Sequence, residues 1–378
     1  MSWENVKLGD VIQIKKGTYI TKKESKEGPY PVILGGQEPA YYIDTFNHTG
    51  KAIVISRSGA SAGYISFWNE PIFVTDGFLI EPKGKTSIDF LYYLLKSRQS
   101  ELQGKQGGAA IPHVNPRTIN AIEVVLPSPL IQKRIVLILS AYDNLIENNQ
   151  KQIKLLEEAA QRLYKEWFVD LRFPGHENVN VVEGVPEGWQ LSTVGECSAI
   201  LRRGISPKYN EEGPSVVINQ KCIRQSVVDL GEARRQEKAF AEEINLTDSD
   251  TVICSTGAGT LGRVGQVFGN LPHTTFDSHV TLVRASENIG KQYLYQFLKS
   301  KQEYLQGMGK GSTNQLELSR STIQELPILT PDCIISEMFE QQAQRIHDKI
   351  AVLSKQIAFL REARDILLPK LMSGEIEV

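Results

Sequence analysis

Gln152-Ile-Lys-Leu-Leu-Glu-Glu-Ala-Ala-Gln-Arg-Leu163 returns as Gln356-Ile-Ala-Phe-Leu-Arg-Glu-Ala-Arg-Asp-Ile-Leu367, with six of twelve positions identical. The apolar positions around each copy alternate at steps of four and three. The first series runs Tyr142, Ile146, Asn149, Ile153, Leu156, Ala160, Leu163, Trp167. The second runs Ile346, Ile350, Leu353, Ile357, Leu360, Arg364, Leu367, Leu371. A mean period of 3.5 residues is that of a coiled-coil seam, so the spacing predicts two long helices that pair with each other. Ser128-Pro129 and Thr330-Pro331 each place a capping hydroxyl before a proline at the first helical position. Each helix is expected to span about 40 residues, or ~60 Å. Asn149 and Arg364 interrupt the seams, where a polar residue sets register at some cost in stability. Pro369 is expected to kink or end the second helix, while its counterpart Lys165 imposes no break.

Outward from these helices the duplication continues. Trp3-Glu-Asn-Val-Lys-Leu-Gly9-Asp10 returns as Trp189-Gln-Leu-Ser-Thr-Val-Gly195-Glu196, a shift of 186. Phe90-Leu-Tyr-Tyr-Leu-Leu-Lys-Ser97 returns as Tyr293-Leu-Tyr-Gln-Phe-Leu-Lys-Ser300, a shift of 203. The growing offset means loop insertions in a tandem duplication, and two large copies are too few for a solenoid. Each copy opens with short alternating runs, Val11–Ile14 and Ala52–Ile55 in the first, that suit short strands in a mixed or antiparallel sheet. Helices are expected over Ile88 to Leu102 and over about Lys291 to Leu305. The fold class is therefore α+β, with two tandem mixed α/β domains separated by two long helices. The expected boundaries are 1–128, 129–170 for the first helix, 171–188 for a Pro- and Gly-rich linker, 189–330, and 331–378 for the second helix and tail.

Composition excludes several classes. The 378 residues are 41% hydrophobic and 23% charged, ordinary for a soluble globular protein. No apolar run approaches the ~20 residues needed to cross a bilayer, and the first residues do not form a signal peptide. Cys197, Cys222, Cys254 and Cys333 form no C-x-x-C pair and are expected to be buried thiols in a reducing cytoplasm. A net charge of −2 argues against nonspecific coating of nucleic acid. Local charge is still patterned: Lys15 to Glu27 holds five lysines against two glutamates, a charge of +3.

Catalytic and cofactor motifs are missing. Gly257-Ala-Gly259-Thr-Leu-Gly262 satisfies G-x-G-x-x-G, but a dinucleotide site needs a helix to begin there. The sequence that follows, Arg263 to Phe268, alternates like a strand, so a glycine turn between strands is expected. Gly307-Met-Gly309-Lys310-Gly311-Ser312 lacks the spacing of a phosphate-cradling loop, and His48, His113, His176, His273, His279 and His347 include no metal-ligand pair. Asp76 and Asp277 follow similar strands, where a turn or cap role is expected. No methyltransferase-like N-P-P-[YF] tetrad occurs; Asn115-Pro116-Arg117 is the nearest approach.

The material for binding is better. Lys15-Lys16-Gly17-Thr18-Tyr19 aligns with Arg202-Arg203-Gly204-Ile205-Ser206, a basic pair followed by glycine and hydroxyl residues. Basic residues at loop tips neutralise phosphates while neighbouring polar side chains reach base edges. In the first copy the candidates are Lys15, Lys16, Thr18, Tyr19, Lys22, Lys23, Arg57, Ser58, Lys105 and His113. In the second they are Arg202, Arg203, Ser206, Lys208, Tyr209, Arg224, Thr256, Arg263, Lys310 and Asn314. The glycine-rich stretches at Gln106-Gly107-Gly108 and Lys310 to Asn314 also align.

The chain resembles the specificity subunit of type I DNA restriction-modification enzymes over essentially its whole length. The resemblance rests on Pro186-Glu-Gly-Trp189, Gly204-Ile-Ser-Pro-Lys-Tyr209, and the heptad segments ending Leu163-Tyr-Lys-Glu-Trp-Phe168 and Leu367-Leu-Pro-Lys-Leu-Met372. It implies two target recognition domains, each reading half of a bipartite site in double-stranded DNA, with the helices as spacer. It also implies no cofactor in this chain. S-adenosylmethionine, ATP and Mg are expected in separate modification subunits, two of them, and in restriction subunits whose presence is left open. An antiparallel, pseudo-twofold coiled coil would hold the two readers apart: Tyr142 to Trp167 is ~38 Å of coil, against ~34–36 Å for one turn of B-DNA. The competing interpretation is a two-headed scaffold binding protein or carbohydrate. A self-contained DNA enzyme is disfavoured by the missing motifs.

Overall fold

The computed structural model describes residues 3–104, 112–224, 226–257, 259–309 and 316–378. The expectations placed on Lys105, Gln106 to Gly108, Lys310 and Asn314 lie outside the described residues. The chain divides into two compact units, 1–147 with 357–378, and 148–356.

In chain order the first unit lays down β1 (Glu4–Lys7), α1 (Leu8–Val11), β2 (Ile12–Lys16), β3 (Tyr30–Ile33), β4 (Tyr41–Ile43), β5 (Lys51–Ser56) and β6 (Ile65–Asn69). There follow β7 (Phe73–Val74), β8 (Gly77–Pro82), α2 (Ile88–Ser97), α3 (Gln99–Gly104), α4 (Pro116–Asn120), β9 (Glu123–Leu126) and the long α5 (Pro129–Tyr164), whose residues beyond 147 belong to the second unit. An antiparallel sheet has the order β2-β8-β5-β6, a mixed sheet the order β4-β3-β7, and β1 pairs with β9 to close the globule. β3 and β7 run parallel.

Strand periodicity explains this packing. Successive side chains of a strand point to opposite faces. Ile53 and Ile55 of β5, with Phe78 and Ile80 of β8, therefore bury against Phe90, Leu91, Leu94 and Leu95 of α2. Ala52, Val54 and Leu79 face the other way, toward Ile33 and Val74 of the mixed sheet. Each of these side chains larger than alanine contributes about 1.5–3 kcal/mol on burial. Helix α2 is capped by Ser87, whose hydroxyl accepts Phe90 N–H at 3.2 Å. The single helix expected to Leu102 is broken at Arg98, because Ser97 Oγ donates back to the Leu94 carbonyl at 2.8 Å and helps to close the last turn.

The second unit repeats the plan. A short hairpin, β10 (Val181–Val182) and β11 (Val185–Pro186), occupies the expected linker. Then come β12 (Gln190–Thr193), β13 (Ser198–Arg203), β14 (Ser215–Ile218), β15 (Arg234–Gln236), β16 (Thr251–Cys254), β17 (Val264–Gln266), β18 (Thr274–Phe276) and β19 (Val280–Ala285). Helices α6 (Lys291–Ser300), α7 (Gln302–Gly307) and α8 (Arg320–Gln324), β20 (Pro327–Thr330) and the long α9 (Cys333–Ser373) complete the chain. The sheet orders β13-β19-β16-β17, β15-β14-β18 and β12-β20 repeat those of the first unit strand for strand. Even the break after α6 recurs, with Ser300 Oγ bonded to the Phe297 carbonyl at 2.7 Å.

Helix α5 begins at Pro129, as Ser128-Pro129 predicts. Helix α9 does not begin at Pro331. Its cap is Asp332, whose Oδ1 accepts Ile334 N–H at 2.9 Å and Ile335 N–H at 3.1 Å, while Thr330 donates to the Gln190 carbonyl across β12 and β20. A carboxylate there also meets the positive end of the helix dipole. The two helix ends differ from expectation, at Lys165 by a break and at Pro369 by four further helical residues. Regular α5 gives way at Lys165 to a π-turn over Lys165–Val169, a wider coil that lets Trp167 and Phe168 both enter the core beside Trp189 and Phe339. Helix α9 instead continues through Pro369 to Ser373, because Leu368, Leu371 and Met372 bury on either side of the proline.

The seam positions behave as the heptads predict: each from Tyr142 to Trp167 and from Ile346 to Leu371 is buried or half-buried. In the first unit Ile131, Ile135 and Leu139 of α5 share a core with Leu368, Leu371 and Met372 of α9. In the second, Asn149 Nδ2 donates to Gln356 Oε1 at 3.3 Å, and Trp167 lies 5.9 Å from Phe339 between ring centroids. An early α5 residue thus meets a late α9 residue and the reverse, so the helices run antiparallel within that unit. No described helix is long and apolar enough to cross a membrane. Cys197, Cys222 and Cys254 are buried, but Cys333 is exposed in the first turn of α9, against expectation.

Candidate nucleic-acid interface

The two basic pairs sit at the ends of β2 and β13, where the chain must pass close to the strand that precedes β8 or β19. A Cβ on Gly17 would lie 2.3 Å from the Thr75 carbonyl oxygen, and one on Gly204 would lie 2.0 Å from that of Phe276. The glycine in each motif is therefore required by backbone packing. The bases beside it are not equivalent in use. Lys15 pairs with Glu81 at 2.7 Å, whereas Lys16 is exposed and has no ion pair among the described residues. Arg202 makes a loose contact to Glu243 at 3.5 Å. Arg203 points to the opposite face, where it meets Glu317 and donates to the carbonyls of Ser255 at 3.3 Å and Leu318 at 3.1 Å. Strand alternation makes one of each pair a surface cation; in β13 it makes the other an internal strut.

Beyond Gly17, Thr18 is exposed and Tyr19 is 83% exposed. Lys22 and Lys23 are exposed on a turn closed by Glu24, whose carboxyl is held low by hydrogen bonds from the Thr21 hydroxyl and backbone. Beyond Gly204, the Ser206 carbonyl accepts Lys238 Nζ at 3.0 Å. Lys208 pairs with Glu237, which raises its pKa. Arg224 reaches Glu232 at 3.8 Å.

A second matched cluster lies at the far ends of β5 and β16. Arg57 N–H donates to the Asp76 carbonyl at 3.3 Å, and Ser255 N–H donates to the His279 carbonyl at 2.8 Å. Ser58 bridges His113 as Thr256 bridges Glu317. The backbone thus equates Arg57 with Ser255, Ser58 with Thr256, His113 with Glu317, and Asp76 with His279. The sequence had paired Asp76 with Asp277. In fact Asp277 is buried, its Oδ1 accepts His279 N–H at 2.9 Å, and burial pushes its carboxyl up. That is a turn role. Side chains on the shared frame keep one habit and change their chemistry: Ser58 donates to Asp76, while Thr256 Oγ1 meets His279 Nδ1 at 2.7 Å.

The second unit also has a cleft of about 390 Å³, lined by Tyr209, Asn219, Lys221, Arg234, Asp277 and His279 among others. The Arg234 guanidinium stacks on the Tyr209 ring, 3.6 Å from its centroid, and has no ion pair among the described residues. Stacking holds a planar donor group flat and ready. Sequence reading missed Arg234, because only the bridge of Tyr209 to Gln236, at the end of β15, brings it beside that ring. Arg263 is half-buried in the glycine turn between β16 and β17. That turn has φ of 102° at Gly257, 78° at Gly259 and 74° at Gly262, and it joins two antiparallel strands; no helix begins among its described residues. Among the described residues no group of acidic, histidine and cysteine side chains has metal-site geometry.

Comparison with known proteins agrees with the duplication. The family model of the type I restriction modification DNA specificity domain matches residues 1–158 and again 186–363. The chain is 28% identical to the type I restriction enzyme MjaIX specificity subunit of Methanocaldococcus jannaschii, over all of this chain and 94% of that protein. It is 24% identical to the HindI specificity subunit of Haemophilus influenzae, over 80% of each. The crystal structure of a type I restriction-modification S subunit from M. genitalium superposes with a TM-score of 0.59 at 20% identity, covering 98% of this chain and 96% of that one, which shows a shared fold.

Proposed function

We propose a mechanism from one premise: the chain belongs to the type I restriction modification DNA specificity family. It is accordingly a non-catalytic DNA sequence-recognition subunit, and the two-headed scaffold is not favoured. Each globule reads one half of a bipartite site. The observation that carries this is the strand-for-strand repetition of three sheet orders in two units whose loop-end side chains differ. One scaffold bearing two sets of reading groups suits two unlike half-sites.

The long helices act as spacer and as the seat of the partner subunits. Leu130, Leu137 and Leu145 of α5 remain exposed in the first unit, as do Ile334, Met338 and Val352 of α9 in the second. Apolar residues exposed along a helix suit apolar partner surfaces. The partners are modification subunits, two in number, with restriction subunits as a further association. S-adenosylmethionine belongs to the modification subunits, and ATP and Mg²⁺ to the restriction subunits.

The test is to map methylated positions in a host with and without this chain. A split motif with a fixed gap should vanish on deletion. Replacing residues 189–330 with another target domain should change one half of that motif and leave the other intact. A contiguous motif, or one unaffected by deletion, would refute the proposal.

A further inference from the structure

We infer that Arg57, held by Asp76 and Ser58, reads a guanine in the half-site contacted by the first domain. The inference rests on the bipartite reading above and adds a residue and a base to it.

Arg57 Nε lies 2.6 Å from Asp76 Oδ1, and Asp76 Oδ2 accepts the Ser58 hydroxyl. The Arg57–Asp76 contact is an ion pair rather than an aligned hydrogen bond, since Oδ1 accepts no hydrogen bond. The guanidinium is therefore positioned by charge while its N–H donors stay available. Among the described residues its two terminal nitrogens have no partner. The arginine side chain is 49% exposed and the aspartate 20%, so the carboxylate is the more buried partner and the guanidinium the accessible one.

The platform beneath is fixed on both sides. Arg57 N–H bonds to the Asp76 carbonyl, and the Arg57 carbonyl accepts Val114 N–H at 2.9 Å. A Cβ on Gly35 would lie 2.5 Å from the Ser58 carbonyl oxygen, so neighbouring backbone closes tightly on the same point.

Charge decides what such a group binds. A cation meant for phosphate works best uncompensated, as Lys16 is among the described residues; a carboxylate within ion-pair distance cancels the charge and repels phosphate. What survives compensation is direction. A planar fork of donors matches the O6 and N7 acceptors of guanine, which are neutral. The second domain confirms that the position is free to differ. Its equivalent residue is Ser255, buried and bonded to Thr281, on a frame that keeps the same backbone bonds. A position that keeps its geometry and loses its arginine is what two unlike half-sites require.

The experiment uses the full chain assembled with its modification subunits and a duplex library randomised across both half-sites. Wild type should select a guanine at one position of one half. Arg57→Ala should reduce that preference roughly 5- to 150-fold, leaving the other half and the salt dependence unchanged. Arg57→Lys should retain part of it. Asp76→Asn, which keeps an acceptor for Ser58, should weaken selection at that same base pair and no other. Unchanged selection in Arg57→Ala, or a shallower salt slope with unchanged selection, overturns the assignment while leaving the bipartite reading standing. A wild-type assembly with no split preference overturns both.

Discussion

Arg364 of α9 donates to Asp143 of α5 at 2.7 Å, and the other oxygen of that carboxylate accepts the Tyr93 hydroxyl at 2.6 Å. In the first unit this ties the globule's main helix to both long helices through one side chain. Burial opposes the charge on Arg364, but Asp143 and Asp365 outweigh it and raise its pKa. The seam interruption read as a register device is thus a three-residue network. Arg364→Met leaves Asp143 half-buried without its cation and should cost about 2–3 kcal/mol. Adding Asp143→Leu should cost less than the two single losses together. Urea unfolding of the four proteins in a double-mutant cycle checks this; strict additivity would count against the network.

The aligned basic pairs should separate on mutation. Lys16→Ala removes an exposed cation with no ion pair among the described residues, so DNA binding should weaken alike on all sequences and the salt slope should fall by about 1. Arg203→Ala should act on folding instead, since Glu317 loses its cation and the carbonyls of Ser255 and Leu318 lose a donated hydrogen bond, at about 2 kcal/mol. Measured by thermal melting, Lys16→Ala should match wild type while Arg203→Ala melts several degrees lower. A reversed pattern would reassign both residues.

These two arginines and one lysine show what the sequence made legible. Heptad spacing, duplication and glycine turns are local patterns, and each produced its element: the seam, the repeated sheets, the β16–β17 turn. Ends and neighbours depend on packing that spacing does not carry. Asp332 displaced Thr330 as a cap because β12 and β20 claim the threonine hydroxyl. Pro369 failed to stop α9 because Leu371 and Met372 had a core to enter. At the interface, the identities of Arg57 and Ser58 were visible, but their fixing by Asp76, and the match of Asp76 to His279, follow from strand register alone. Arg234 stayed hidden because its ring partner lies 25 residues earlier in the chain.

Thiol reactivity should distinguish one cysteine from three. Cys333 is exposed, so one equivalent per chain should react with a thiol reagent in the native protein, none in Cys333→Ser, and four in denaturant. Burial pushes the Cys222 thiol up to about 11 and that of Cys254 up to about 12, against about 8.5 unfolded. A raised thiol pKa favours the fold fully below the unfolded value, and that contribution is lost as pH climbs through the folded one. Urea midpoints should therefore fall above about pH 9, and less steeply in a Cys222→Ala, Cys254→Ala protein. Equal slopes in the two would remove the thiols as the cause.

Spacing is the last expectation, and it depends on the antiparallel helices acting as a rod. One inserted heptad keeps the seam in phase, because seven residues restore the same face. Placed in α5 and α9 at facing positions near Asn149 and Gln356, it adds ~10 Å of helix, equivalent to about 3 base pairs of B-DNA. The tolerated gap between half-sites should lengthen accordingly, with both half-site sequences unchanged. An insertion of four residues in each helix would instead rotate the seam out of register and should lower stability. Motif mapping in cells carrying each variant reads both effects. If the heptad variant is folded and methylation still occurs only at the original spacing, the helices are not the element that measures it.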